Sequence, residues 1–130
     1  MNDGIYILRT SQKMKTFEDE NICICIGQDC KENWQILDNA DPEDRWIHLD
    51  DKPSPYVIIH RKDPTYTINK KDMEYAGGLC IRFSKFKRSK REKICYLACK
   101  FVKKGRATGS VNLLMPPSIK TIRNKPIWLM

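Results

Sequence analysis

The sequence predicts an α+β fold: a mixed, mostly antiparallel sheet of about five to seven strands with one main helix, over residues 69–86, packed across it. Three observations lead there. Short apolar runs such as Ile22–Ile26 and Tyr56–His60 are bounded by Gly, Pro, Asn and Asp, the punctuation of strands. Met73, Ala76, Gly77, Cys80, Phe83 and Ser84 recur at helical spacing instead. No internal repeat, low-complexity segment or apolar run of about 18 residues interrupts this pattern, so the 130 residues are expected to form one domain.

Taken in order, Ile5-Tyr6-Ile7-Leu8 reads as a short strand. Thr10 to Asn21 is polar and reads as a turn or exposed loop. Ile22-Cys23-Ile24-Cys25-Ile26 is apolar on both faces, as in a strand at the middle of a sheet or under a helix, and Gly27 ends it. Asp29 to Leu37 has room for one or two helical turns before Asn39, Asp41 and Pro42 force a loop. Arg45 to Leu49 then forms a strand, Pro53 and Pro55 a tight connection, and Tyr56 to His60 a second strand paired with the first as a hairpin. Asp63-Pro64 marks a loop, after which Thr67 or Asn69 caps the helix. Gly77-Gly78 costs about 1 kcal/mol per residue relative to Ala, so the compensating gain is close approach of helix backbone to sheet. Residues 94–102 fit helix and strand equally by periodicity, and Gly105, Gly109 and Pro116-Pro117 punctuate two further strands, 110–115 and 119–123.

Charge is unevenly shared. Residues 1–60 hold 6 Lys/Arg and 12 Asp/Glu, whereas residues 61–130 hold 18 and 4, within a total of +8. A strongly positive region of this kind is the electrostatic footprint of a chain that meets polyphosphate, and the acidic half orients the ligand by repulsion. Lys85, Lys87, Arg88, Lys90, Arg91 and Lys93 crowd into nine residues with Phe86 among them, and Lys103, Lys104 and Arg106 form a second cluster. Such cations neutralise phosphates, and an exposed ring among them could stack on a base; the structural alternative is a solvated loop.

Strand alternation puts Asp44, Trp46 and His48 on one face and Arg45, Ile47 and Leu49 on the other. With Ile47 and Leu49 facing the core, the first set is expected to look outward, Trp46 and His48 meeting a base or ribose and Asp44 orienting His48. The alternative is a buried Trp46 with a structural Asp44–His48 pair. Catalysis by Asp44 and His48 is disfavoured, because no recognisable motif places a Ser or Cys nucleophile and no Gly-rich phosphate loop is present. Three of the six cysteines lie in apolar runs with Ile, Leu and Ala, and all six are expected to be free thiols of a reduced, cytoplasmic or nuclear compartment. A zinc site from Cys23, Cys25, Cys30 and a His is disfavoured by the lack of a C-x-x-C pair and by an expected divergence of the C-x-C thiols to opposite faces. The N-terminus lacks a basic start followed by an apolar stretch, so secretion and membrane insertion are not expected.

Glu32-Asn33 with Ile36-Leu37, then Asp44, Trp46 and His48, then Pro53 and Val57-Ile58-Ile59 resemble, in order and spacing, the RNA-binding domain of NFACT proteins, the ribosome quality-control family, and the small coiled-coil-domain proteins built on that module. Gly27 after the first apolar strand, Ala76 to Ser84, and Tyr96, Lys100, Val102-Lys103-Lys104 and Gly109-Ser110-Val111 extend the likeness to roughly residues 4–124. Two positions depart: the family's Gly-Ser-His reads Ser54-Pro55-Tyr56, and its double Ala reads Gly77-Gly78. The resemblance favours a strand over 94–102. It implies a non-enzymatic module without cofactor or metal that binds structured RNA, tRNA or rRNA, with DNA binding as an extension of the same basic face. A ribosomal or other acidic protein partner is the alternative ligand. The family's peptide-tailing activity depends on other domains and is not implied.

Overall fold

The structure, a computed structural model, describes residues 7–9 and 15–124. In chain order the elements are β1 (Ile7–Arg9), β2 (Lys15–Glu18), β3 (Ile22–Gly27), α1 (Cys30–Asp38), β4 (Arg45–Leu49), β5 (Tyr56–Arg61), α2 (Lys70–Arg82), β6 (Arg91–Ala98), a 3-10 turn (Cys99–Phe101), β7 (Val102–Lys104), β8 (Val111–Leu113) and β9 (Ser118–Arg123). Ile5 and Tyr6 of the expected first strand lie outside the described residues. The α+β class holds. The main sheet has the order β1-β2-β3-β5-β4-β6-β9, and β7 and β8 form a separate hairpin. The sheet is antiparallel, as expected in the main, and every pairing among the described strands is so.

Both faces of the central strands are covered. On one face α2 packs Met73, Ala76, Leu79 and Cys80 onto Ile24, Ile47, Leu49, Ile59 and Ile94. On the other, Ile36 of α1 and Val102 of β7 pack with Trp46, Tyr56, Ile58 and Leu97. Trp46 is therefore only 3% exposed, which corrects the outward-facing platform expected from strand alternation. Alternation was right about which residues share a face; it could not tell that this face, too, is roofed.

Three local corrections follow from similar causes. Part of the polar segment 10–21 is strand β2, because pairing with β1 and β3 lets Phe17 bury against Tyr75 and Phe83. The α1 helix is a full nine residues, Asp29 accepting from the Glu32 backbone N–H at 2.8 Å and Glu32 reaching back to that of Gln28. The main helix starts as expected at a capping box between Asn69 and Asp72, but it ends at Arg82 and not near Phe86. There Ser84 Oγ donates to the Ile81 carbonyl and accepts from the Phe86 N–H, turning the chain. The 94–102 segment is strand only to Ala98; Cys99 then donates its N–H to the Asp44 carbonyl, and the chain leaves the main sheet for β7.

The close approach expected at Gly77-Gly78 is present at Gly77. A Cβ there would lie 2.8 Å from Cγ1 of the buried Ile122 on β9. Gly77→Ala should therefore destabilise the fold by about 1–2 kcal/mol in denaturant unfolding, overpacking outweighing the roughly 1 kcal/mol gained in helix propensity. Unchanged or raised stability would mean that β9 shifts freely away from α2.

Candidate nucleic-acid interface

Asp44 sits at the entry to β4 with no exposed surface. Its Oδ1 accepts from the Arg61 backbone N–H at 3.0 Å, and its Oδ2 from the Asp41 N–H at 2.8 Å and from His60 Nδ1 at 2.6 Å. The carboxylate thus ties the 41–44 turn to the end of β5. It does not orient His48, the role expected for it from the sequence; its imidazole partner is His60, brought opposite by the β4–β5 pairing and invisible to reasoning confined to one strand.

His48 lies at the other end of β4, half-buried, its ring parallel to Trp46 within 9° and 5.8 Å away, with Tyr56 edge-on to both. Its Nδ1 lies 2.7 Å from the Leu49 carbonyl, which can only accept, so Nδ1 carries the proton and Nε2 is the acceptor of the neutral ring. Burial pushes the imidazole below its ordinary value, outweighing the opposing pull of that carbonyl. Trp46 is the buried backing of this group, and its own Nε1 has no partner among the described residues. The pair offers one base-sized contact, His48, on a rigid aromatic support.

The register gathers the cations at this same end. Leu49 pairs with Ile94 and Arg91 with Arg123, so the end of β4, the start of β6 and the end of β9 meet, beside the 83–90 turn that precedes β6. Lys93 follows Cys95, the partner of His48, on the same face, and Arg91 and Arg123 lie beyond it. The turn is not a loose solvated loop. Asn124 donates Nδ2 to the carbonyls of Lys87 and Ser89 at 2.7 Å and its backbone N–H to Lys90, while Lys85, Lys87, Arg88 and Lys90 remain exposed. Phe86 is not a free stacking ring: it packs against the core under Lys52 Nζ, 4.6 Å from its centroid.

Ion pairing separates two populations of cations. Lys52, Lys62, Lys100 and Lys104 pair with Glu92, Glu18, Glu43 and Asp38. Among the described residues no carboxylate pairs with Lys85, Lys87, Arg88, Lys90, Arg91, Lys93, Arg106 or Arg123. Arg123 could not be recognised from the sequence as a member of this group, since it lies about thirty residues beyond the 85–93 cluster; Asn124 carried no signal at all.

The family model for the NFACT protein RNA binding domain matches residues 12–115. The chain belongs to the NFACT RNA-binding domain family. This makes it an RNA-binding module by family. Among solved structures, the C-terminal part of the fibronectin/fibrinogen-binding protein from Streptococcus suis is similar, with a TM-score of 0.76 at 18% identity over 92% of this chain and 49% of that one. The likeness extends to the fold, and the chain spans about half the length of that structure. No curated protein matches.

The second basic cluster of this NFACT RNA-binding domain lies apart from the first. Lys104 is held at 2.8 Å from Asp38 and over the Trp34 ring, on the outer side of α1. Lys103 is exposed beside it, and Arg106 is carried on a loop pinned over the start of α1. Tyr56 donates its hydroxyl to the Gly109 carbonyl, Trp34 Nε1 donates to the Ser110 carbonyl at 2.9 Å, and the positive φ of Gly109 lets the loop press against Cys30.

All six cysteines are free thiols. Cys23 and Cys25, expected on opposite faces, share one, because positions i and i+2 of a strand always do. Their sulfurs are 4.0 Å apart, and the hydrogen bond from the Cys25 thiol lowers Cys23 to about 7.

Trp46→Ala should cost about 3–5 kcal/mol in unfolding experiments, as for a large core truncation, and Asp44→Ala a similar amount because three donors lose their acceptor. A loss below about 1 kcal/mol for either would refute its structural role. His48 should titrate below its ordinary 6.5 in NMR. Since the unfolded chain then binds the proton more readily, the stability His48 contributes is present above pH 6.5 and is lost as pH falls through the lowered value; His48→Gln should flatten that slope.

Proposed function

We propose that the domain binds structured RNA, tRNA or rRNA, at the end of the sheet where His48 and the unpaired cations converge, and works in the cytoplasm in translation or ribosome quality control. One observation carries the siting: Lys85, Lys87, Arg88, Lys90, Arg91, Lys93 and Arg123, none with a carboxylate partner among the described residues, gather there on one turn and two strand ends. Unpaired Lys and Arg bind phosphates without first breaking an ion pair, and each such contact releases counterions. Held by Asn124, Lys87, Arg88 and Lys90 form a preorganised phosphate grip that continues into Arg91, Lys93 and Arg123. Lys85 flanks it, and Lys103, Lys104 and Arg106 act as a secondary contact for a ligand long enough to cross α1. His48 Nε2 accepts from a base amine or a ribose 2′-hydroxyl, which is how such a site tells RNA from DNA. Trp46 serves from behind, and Asp44 serves by holding the fold.

A second reading has its own observation. Leu114, Met115 and Ile119 are 57%, 44% and 48% exposed, and Ile119 continues the row that pairs His48 with Cys95. An apolar ridge beside a basic strip also suits an acidic protein partner, such as a ribosomal protein.

Replacing Lys87, Arg88, Lys90 and Arg91 together with Gln should weaken binding to all RNA sequences about equally and flatten the plot of log affinity against log salt by roughly 0.7–0.9 for each phosphate that is no longer neutralised. The paired Lys62→Gln and Lys100→Gln should leave both unchanged. His48→Ala should instead cost about 1–3 kcal/mol of affinity with little change in salt slope. If the quadruple variant retains affinity and slope, the basic end is not the RNA site and the protein-docking reading gains.

A further inference from the structure

The β3–β5 register sets Cys23 opposite His60 and Cys25 opposite Ile58, and both thiols lie on the face that carries Trp46. Strand β3 is paired on its two sides, to β2 and β5, so the backbone that carries them is ordered before any ligand arrives. Neither thiol is closed off: both are half-buried, unlike Cys80, Cys95 and Cys99, which lie within the cores. We propose that Cys23 and Cys25 form a two-sulfur clamp for a soft monovalent metal ion, Cu(I).

Three features select the ion. Thiolates prefer soft metals, and a site made of two sulfurs alone offers nothing to hard, oxygen-seeking cations. With metal–sulfur bonds of about 2.3 Å, two sulfurs on opposite sides of an ion stand somewhat under 4.6 Å apart once the angle bends. The observed 4.0 Å separation is about 0.6 Å short of the linear span, a gap that small χ1 rotations of the two side chains close without moving the strand. Coordination number then decides between Cu(I) and Zn(II), because a structural zinc site wants four ligands. Among the described residues the one set of three or more candidate ligand atoms that converge is Asp41, Asp44 and His60. It does not include either sulfur, and the Asp44 oxygens in it are already engaged by three hydrogen bonds. His60, which β5 sets opposite Cys23, donates Nδ1–H to Asp44, and among the described residues neither of its ring nitrogens converges with the two sulfurs. The clamp is thus two-coordinate, a number that Cu(I) accepts and zinc does not. On binding, the thiol protons pass to solvent and no electron is transferred.

The reduced full chain, titrated without oxygen with Cu(I) against a chromophoric Cu(I) chelator, should take up one ion at this site. Cys23→Ser and Cys25→Ser should each lower that affinity more than about a hundredfold, beyond what the loss of an outer-shell partner costs; Cys30→Ser, which removes the exposed thiol elsewhere, should not. X-ray absorption of the unmutated Cu(I) protein should show two sulfur neighbours and no nitrogen or oxygen at bonding distance, a readout that stands even if a serine variant fails to fold. Cu(I) uptake that follows Cys30, serine variants that bind as the parent does, or tighter retention of Zn(II) in a four-coordinate site would each overturn the proposal.

Discussion

Burial of the central strands on both faces is the constraint from which the rest of the structure follows. Ile22, Ile24 and Ile26 on β3, and Ile47 and Leu49 on β4, need α2 over one face. Trp46, Tyr56, Ile58 and Leu97 need a second cover, which α1 and the β7–β8 hairpin supply. A nine-residue helix and a pair of three-residue strands are too small to roof the whole sheet. They stop short of the strand ends around His48, so that end carries a half-buried imidazole and exposed cations in place of a continuous apolar lid. The open strip is what remains after an incomplete second layer.

The roof also explains why polar groups are distributed as they are. Asp44, at the far end of the same strand, lies where the chain turns from the 3-10 segment toward β7, and the Cys99 N–H meets its carbonyl there. A carboxylate deep in that junction is tolerable because each oxygen has a donor. At the opposite end the demands reverse. The cations there face solvent, at little cost in desolvation, and they outnumber the carboxylates of Asp50, Asp51 and Glu92 beside them, which leaves a net positive field that low ionic strength strengthens. Strands β6 and β9 bring cations from the second half of the sequence alongside the end of β4.

Much of this was legible in the chain itself. The short apolar runs, the capping box at Asn69 and the punctuation by Gly and Pro mark local preferences, which act over a few residues and can be read from a few residues. The NFACT RNA-binding motifs were legible for the same reason: Asp44, Trp46 and His48 sit two apart on one strand, and their common face follows from backbone geometry alone. The basic turn showed itself through charge density.

What the sequence could not determine was the company each residue keeps. Trp46 and His48 share a face, yet one is core and the other half-open, because burial depends on where a helix earlier in the chain and a hairpin much later in it come to rest. Asp44 found His60 and not His48, because β4 pairs with β5 and a cross-strand neighbour is closer than one four residues along the same strand. Arg123 and Asn124 joined the basic turn only through the β6–β9 register. The sequence alone determined the kind of fold, the family and which side chains share a strand face, all matters of local geometry; tertiary structure decided which face is covered, which charges are paired and which ring is reachable, since those depend on contacts between segments whose separation along the chain carries no record of their distance in space.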